Sequence, residues 1–514
     1  MSAVRRTLPA RADLEQQKKL AKELLSAYRR GDSEAQARVR AELPDKTRIV
    51  LADAQFVLAR EYGFANWATL RDKIEELNRE RLSPDQRFRR AVQDRDVDEL
   101  RRLLPMRGKL RDVVNAPVFG FDSPAIVAVS GARDVDLVDT LLQLGADPNR
   151  RSDWWAGGFH SLYGANDEVA DRLLAAGAIP DACAAAHLDR VDLLEQMLDA
   201  DPARVHERGG DGQTPLHFAR SRRVADLLLD RGADVDAKDL DHRSTPAQWM
   251  LGDVEDGETP RRDLAKYLVE RGASVDIFLA AALGLTSEAR GMLERDPSLL
   301  KIRTGQGEYA EKPPSSYHIY LWTIGSNLTP LQTASKFKQR ETLAFMRELA
   351  SPEQRLLLAC HDGDRDEAQA IVRAHPGIVQ SLTGNDRRAL TDEAWAANAP
   401  AVELMLELGF DPGVTSVTGP TAGTALHCAA WEGSVPCVAA ILRYPAGRAL
   451  IGVRDRMYGG APLNWCCHGS AHSGNRMANH AEVARLLIEA GARIDPDEMS
   501  ASEDVMKVLY ELLS

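Results

Sequence analysis

Apolar residues recur along this chain in pairs of short runs with helical spacing, and each pair is closed by a turn signal. The clearest pair begins at Thr214-Pro215, where a hydroxyl that can cap a helix precedes a proline suited to the first helical position. A second apolar run, Leu227-Leu228-Leu229, ends shortly before Gly232, and glycine readily adopts the left-handed conformation after a helix. The pattern predicts a helix-turn-helix unit closed by a glycine.

Similar units recur over most of the chain, which predicts a solenoid of stacked helix pairs rather than several globular domains. The clearest closing glycines are Gly145, Gly177, Gly232, Gly272, Gly409 and Gly491. Weaker units end instead at Pro202, Pro297 and Pro376. We count about twelve units. Ile277 follows Gly272 so closely that the hairpin finger between those two units must be short or absent.

The segment Thr214-Pro215-Leu216-His217-x-Ala219, together with the closing Gly232-Ala233-Asp234, resembles the ankyrin repeat. Upstream, residues 61–67 (Glu-Tyr-Gly-Phe-Ala-Asn-Trp) look like a segment found ahead of the repeats in many bacterial ankyrin proteins. The resemblance implies an all-α ankyrin-repeat solenoid of the bacterial multi-ankyrin kind. Only residues 214–217 carry the complete tetrapeptide, and Thr424-Ala425-Leu426-His427 lacks the proline. Such departures favour a tightly curved or closed superhelix over a straight stack.

The chain is predicted to divide into three parts: an N-terminal helical capping region (1–82), the repeats (83–500) and a C-terminal capping helix (501–514). Two stretches interrupt the repeats. Residues 305–327 are predicted to form an extended finger with some β-hairpin character. Residues 469–479 form a polar loop between the two helices of the last full repeat. Insertions in repeat proteins map to loops, and loops often carry binding residues.

Composition limits the classes of partner. The formal net charge of −12 and the pI near 5.6 argue against a nucleic-acid backbone or an anionic membrane, because both demand a basic face. We find no apolar run as long as a membrane-spanning helix and no secretory leader, so a cytoplasmic protein is expected. The six cysteines are expected to be reduced thiols.

The ankyrin resemblance implies that two positions of each first helix face a concave groove: the one after the motif histidine and the one three residues later. Large side chains occupy these places in three consecutive C-terminal repeats. The candidate binding residues, including two from the long finger and one from the polar loop, are Trp249, Tyr320, Trp322, Asp392, Trp395, Trp431, Trp465, His468 and His472. Packing of each tryptophan under the next finger is the alternative. His217 and His427 are expected, by the same resemblance, to bond to neighbouring loop backbone.

Cysteine and histidine cluster near the C-terminus, but their spacing does not suit a metal. Cys466 and Cys467 are consecutive and point about 100° apart on a helix, so buried thiols are expected and no metal site or cofactor is predicted. Cys428 is predicted to be the one groove-facing cysteine, within possible reach of His468. No known catalytic signature accompanies them, so a non-enzymatic protein is favoured.

Two hypotheses of function follow. The first is a non-enzymatic recognition scaffold that binds a protein partner in the concave groove of the C-terminal repeats, with residues 305–327 as a clamp. The second is a curled stack that encloses an aromatic and histidine pocket and binds or converts a small molecule. A deep cavity near Trp431 and His468 favours the second hypothesis, and an open groove favours the first.

Overall fold

Almost every element of the computed structural model is a helix. The structure describes residues 6–9, 12–44, 46, 48–252, 261–306, 319–415, 423–473, 475, 477–493 and 501–512. Among these residues there is no β-strand, and Phe119 and Ser123 form an isolated antiparallel bridge. The chain divides into two compact units, Met1–Pro215 and Leu216–Ser514.

The first four helices pack on one another. They are α1 (Leu14–Arg29), α2 (Ser33–Glu42), α3 (Leu51–Glu61) and α4 (Trp67–Arg81). Leu24 and Val57 are buried between them. Arg38 holds the buried Glu61 in a bidentate ion pair, with Nε–Oε1 at 2.7 Å and Nη2–Oε2 at 2.9 Å. The predicted helical character of this region is confirmed, and its role as a cap stays a prediction.

Helix pairs fill most of the remaining chain. The first unit continues with α5 (Pro84–Gln93), α6 (Val97–Leu103), α7 (Arg107–Val114), α8 (Ala125–Val129), α9 (Val135–Leu144), α10 (Asp167–Ala175), α11 (Ala182–His187) and α12 (Val191–Ala200). Then come α13 (Pro215–Phe218), α14 (Arg222–Asp230), α15 (Pro246–Trp249), α16 (Arg262–Glu270), α17 (Ile277–Leu283), α18 (Thr286–Arg295), α19 (Tyr320–Thr323), α20 (Pro330–Lys336), α21 (Arg340–Leu349), α22 (Pro352–His361) and α23 (Arg365–Ala374). The last helices are α24 (Ile378–Ser381), α25 (Ala389–Trp395), α26 (Ala399–Glu407), α27 (Ala425–Trp431), α28 (Val435–Leu442), α29 (Pro445–Arg448), α30 (Pro462–His472), α31 (His480–Glu489) and α32 (Glu503–Leu512).

Several first helices of repeats start with the same chemistry. Ser or Thr occupies the N-cap, proline the first helical position and Gln the third, as at Ser83, Thr245, Thr329 and Ser351. The hydroxyl accepts the backbone N–H of the glutamine, whose side-chain oxygen accepts the N–H of the cap. Each capping box therefore fixes where its repeat begins.

Two repeats about three repeat periods apart correspond element by element. Asp181 caps α11 by accepting one backbone N–H of its helix, and Asp276 caps α17 by accepting two. A ten-residue helix follows in both, and then a five-residue 3₁₀ helix that starts with proline, at Pro202–His206 and at Pro297–Lys301. Only six residues separate α16 from α17, so the predicted shortening of that finger is confirmed.

The two predicted interruptions differ from expectation in part. Residues 307–318, where β-hairpin character was predicted, lie outside the described residues, and residues 320–323 form the helix α19. The polar stretch 469–479 begins as helix, because α30 continues to His472. Helix α32 lies where a C-terminal helix was predicted.

Candidate functional site

Three consecutive repeats place aromatic rings next to one another, as the alignment predicted. Trp395 and Trp431 are the last residues of α25 and α27, and His468 occupies the equivalent place in α30. The rings of Trp395 and Trp431 lie 6.2 Å apart, centroid to centroid, with planes within 10° of parallel. The ring of His468 lies 5.3 Å from that of Trp431. We call Trp395, Trp431 and His468 the aromatic row.

The aromatic row reaches the surface of the second unit. Trp395 and Trp431 are half-buried, and His468 is exposed. His472, one turn further along α30, is also exposed, and its ring lies 4.4 Å from that of His468. The row therefore offers contiguous ring surface on a rigid helical support.

Trp465, another predicted binding residue, lies beneath the row. It is 5% exposed, and its ring packs against those of Trp431 at 6.1 Å and His427 at 5.4 Å. Cys428, at the equivalent position of α27, is fully buried, so the prediction that it faces the groove is wrong. The reason is packing, because α27 lies between α25 and α30 and they cover this helix face. Burial raises the pKa of the Cys428 thiol, which disfavours a nucleophilic thiolate.

A buried carboxylate holds Trp465 and the turn before α30. Asp455 accepts hydrogen bonds from the indole Nε1 of Trp465 at 2.9 Å and from the backbone N–H groups of Met457 (2.8 Å), Tyr458 (2.6 Å) and Gly460 (2.8 Å). Burial opposes the charge, but these hydrogen bonds together lower the pKa of Asp455 below its usual value. The turn leaves Tyr458 69% exposed, with its ring 6.2 Å from that of Trp465.

Trp249, in an earlier repeat, is held in the same way. Its Nε1 donates to Asp239, ten residues upstream, at 2.9 Å. Asp239 also accepts the backbone N–H groups of His242 (2.6 Å) and Ser244 (2.8 Å). The half-buried ring of Trp249 packs against His242 at 5.0 Å. The same hydrogen bond between a tryptophan indole and an aspartate ten residues upstream thus occurs in two repeats.

The polar stretch after α30 is tied to the end of α27. Asn475 Nδ2 donates to the carbonyl of Glu432 at 2.9 Å, and the Asn479 N–H donates to that of Gly433 at 2.9 Å. His480 Nε2 bonds to the carbonyl of Trp431 at 2.8 Å. Three successive carbonyls therefore fix this stretch beside the aromatic row.

The other predicted site residues lie elsewhere in the second unit. Asp392 is half-buried and accepts hydrogen bonds from Asn327 at 2.5 Å and Arg388 at 2.6 Å, and burial raises its pKa. Tyr320 is fully buried and donates its hydroxyl to Asp276 at 2.7 Å. Trp322 is 67% exposed. Of these three, Trp322 alone presents a largely exposed side chain.

The expectations for the motif histidines and the paired cysteines are confirmed. His217 Nε2 bonds to the carbonyl of Ser244 at 3.1 Å, and His427 Nε2 to that of Gly460 at 3.2 Å. Cys466 and Cys467 are both buried. Each of these two histidines therefore bonds its own repeat to the loop that precedes the next one.

Two clefts of the second unit have linings that lack the aromatic row. One, of about 460 Å³, is lined by polar residues that include Lys301, Arg303 and Gln354. The other, of about 280 Å³, lies beside Arg443 and Ala399. Neither cleft corresponds to the pocket of the second hypothesis.

Sequence reasoning missed an aromatic cluster in the first unit. The ring of Phe121 lies 5.3 Å from that of Trp154 and 5.4 Å from that of Phe159. Phe121 and Trp155 are 58% and 53% exposed. The adjacent Trp154 and Trp155 were the available signal, since two consecutive tryptophans in a loop cannot both be buried easily.

Comparison with known proteins matches this architecture. The model of the ankyrin repeat family matches residues 211–240. The mouse protein named "Ankyrin repeat and SAM domain-containing protein 6" is 28% identical over 148 residues, which are 26% of this chain and 16% of the relative. Its rat counterpart is 30% identical over 127 residues, 24% of this chain and 13% of the relative. The chain thus covers about a sixth or less of either relative.

The described helices are too short or too polar to cross a lipid bilayer. Ankyrin repeats generally mediate interactions between proteins. The paired helices, the capping boxes and the family match at residues 211–240 agree with one another. The fold is that of an all-α ankyrin-repeat solenoid.

Proposed function

We propose that this chain is a non-enzymatic recognition scaffold that binds a protein partner through the aromatic row of its C-terminal repeats. The observation that carries the proposal is the stacking of Trp395 on Trp431 at a half-buried surface, continued by His468. Tryptophan dominates binding hot spots because it buries a large area and loses little side-chain entropy. A bacterial, cytoplasmic setting is part of the proposal and rests on the sequence resemblance.

The support beneath the row favours binding because it is preformed. Asp455 fixes Trp465, and His480 fixes the carbonyl of Trp431, so the rings need not be ordered when a partner arrives. A preorganised surface avoids part of the entropy cost of association. Trp465, which is buried, acts in this proposal as support rather than as contact surface, and Tyr320, buried elsewhere in the second unit, takes no part in the binding surface.

The test is capture of partners from the lysate of the source cell by the wild-type chain and by two variants. W395A/W431A removes the row, and W322A removes an exposed tryptophan away from it. We expect partners to be retained by wild type and W322A and lost from W395A/W431A. A loss of about 2 kcal/mol of binding free energy for each hot-spot tryptophan corresponds to an increase in Kd of about thirty-fold.

Both variants must keep the circular-dichroism spectrum of the wild type for the comparison to hold. Partners that bind W395A/W431A as strongly as wild type would contradict the proposal. Native mass spectrometry of the purified chain adds an independent readout. A small molecule released on unfolding, without a protein partner, would support the pocket hypothesis instead.

A further inference from the structure

The end of helix α30 carries two histidines on one exposed face. His468 and His472 stand four positions apart, and both lie within the helix Pro462–His472. Residues at this spacing lie one above the other on the same face of a helix. Both histidines are exposed, and the centroids of their rings lie 4.4 Å apart. The helix therefore presents two imidazoles side by side.

The separation of the two rings suits a shared metal ion. An imidazole nitrogen binds zinc at about 2.1 Å, so two imidazoles on one ion have ring centres about 4.5–5 Å apart. The rings of His468 and His472 are close to this separation. Two histidines at positions i and i+4 of a helix are also the arrangement by which one helix face binds zinc in metalloproteases. The backbone of α30 therefore suits chelation as it stands.

Contacts around the pair hold this part of α30 in place. A methyl group on Gly469 would lie 2.2 Å from the carbonyl oxygen of Trp431, so α30 packs closely on the end of α27 directly after His468. The N–H of Ser473 donates to the carbonyl of Gly469 at 2.9 Å, which continues the helical hydrogen bonding past His472. A pair of ligands on an ordered helix loses little backbone entropy when it binds an ion.

Three other side chains of this region that could bind such an ion are engaged or buried. Cys466 donates its Sγ to the carbonyl of His480 at 3.3 Å, and burial raises the pKa of Cys467 to about 12. His480 bonds to the carbonyl of Trp431 through Nε2. The site thus consists of two imidazoles. Imidazole suits Cu²⁺, Ni²⁺ and Zn²⁺, whereas Ca²⁺ and Mg²⁺ take oxygen ligands.

We propose that His468 and His472 together bind one divalent late transition-metal ion, of the class of Cu²⁺, Ni²⁺ and Zn²⁺, on the exposed face of α30. The inference goes beyond the recognition function proposed above and does not depend on it. Two protein ligands leave the other positions of the ion to water or to a ligand from another molecule. Because His468 also belongs to the aromatic row, the ion adds positive charge and an exchangeable coordination position to that surface.

The test is isothermal titration calorimetry of the full-length chain, without a histidine tag, with Cu²⁺, Zn²⁺ and Mg²⁺. H468A and H472A each remove one ligand. The matched control, H206A/H375A, removes two exposed histidines at other places in the chain. Electron paramagnetic resonance of the Cu²⁺ complex reports the nitrogen ligands. Tryptophan fluorescence reports the location, because Cu²⁺ quenches nearby indoles and the ring of Trp431 lies 5.3 Å from that of His468.

We expect wild type to bind Cu²⁺ through two nitrogen ligands, to bind Zn²⁺ more weakly, and not to bind Mg²⁺ at this site. H468A and H472A should each weaken Cu²⁺ binding by at least about ten-fold and reduce the quenching. H206A/H375A should bind like wild type. Alanine suits both exposed helical positions, so H468A and H472A should keep the circular-dichroism spectrum of the wild type.

Equal affinity for Cu²⁺ in wild type and H472A would overturn the inference and identify the two rings as neighbours without a shared ion. An equally large loss in H206A/H375A would also overturn it, because it would mark unspecific binding by surface histidines. H472A keeps Trp395, Trp431 and His468. A failed metal test therefore leaves the proposed function standing, and failure of the partner capture leaves the metal site standing.

Discussion

Replacing Asp455 by alanine should destabilise the second unit and loosen the proposed binding surface. The substitution leaves four N–H groups without their acceptor: three of the backbone and the indole of Trp465. Hydrogen bonds to charged groups contribute about 1.5–3 kcal/mol each. Met457 and Tyr458 are exposed, however, so water can replace part of what they lose. The buried Trp465 indole cannot be rehydrated without moving its ring.

From these contacts we expect D455A to lower the free energy of unfolding by about 3 kcal/mol. The matched control is D239A, because Asp239 holds Trp249 through the same indole bond and two backbone N–H groups. Trp249 is half-buried, so D239A should cost about 2 kcal/mol. Urea denaturation followed by circular dichroism measures both values.

The binding affinities of D455A and D239A should differ. D455A frees the ring that supports Trp431 and the turn that carries Tyr458, so affinity for a partner that binds the aromatic row should fall at least ten-fold. D239A should leave that affinity unchanged. Two results would refute the reasoning: a loss of stability below about 0.5 kcal/mol in D455A, or equal losses of affinity in both variants.

Three further predictions concern local features and are checked by urea denaturation, two of them with a control substitution. Gly469→Ala adds a Cβ that meets the last carbonyl of α27 and should cost about 2 kcal/mol, whereas Gly291→Ala, whose Cβ would meet the flexible Arg295 side chain at 3.6 Å, an ordinary contact, should stabilise by up to about 1 kcal/mol. Ala397 has φ of 53°, so Ala397→Gly should stabilise by about 1 kcal/mol, while Ala396→Gly, at φ of −75°, should not stabilise. Burial raises the pKa of Glu432 from 4.5 to about 7, so the folded state binds this proton more tightly and stability falls as the pH rises from about 4.5 to 7. Glu432→Gln should remove that fall. The free energy of unfolding of the variant, relative to wild type, should therefore be about 1 kcal/mol higher at pH 8 than at pH 4, a value reduced for solvent screening. An unchanged pH profile would contradict the assignment.

The repeat pattern was enough to predict the helix pairs and the meeting of Trp395 and Trp431. Equivalent positions in stacked repeats must be neighbours in space, so an alignment is also a contact prediction. The alignment could not predict that Cys428 and Trp465 are buried, because the position after the motif histidine is covered only when the neighbouring helices approach closely. That approach depends on residues such as Gly469 in another repeat.

The turn before α30 was harder to foresee for another reason. Asp455 stands between two arginines in the sequence, and three consecutive charged residues are typical of a solvated loop. Its carboxylate turns inward because backbone N–H groups of the turn converge on it. Hydrogen bonds between a side chain and a nearby turn depend on φ and ψ, which the sequence pattern does not specify.

The correspondence between the repeats capped by Asp181 and Asp276 shows which part of a repeat can vary in length. Matching caps, helices and proline-led 3₁₀ helices about three periods apart show that the same local signals build the same repeat at two places in the chain. After the 3₁₀ helix, the first copy reaches its next Thr-Pro start at Thr214 within a few residues, and the second copy does so only at Thr329. The repeat frame therefore accommodates a connection of either length at this point, so residues 305–327 lengthen one repeat without changing the caps and helices that precede them.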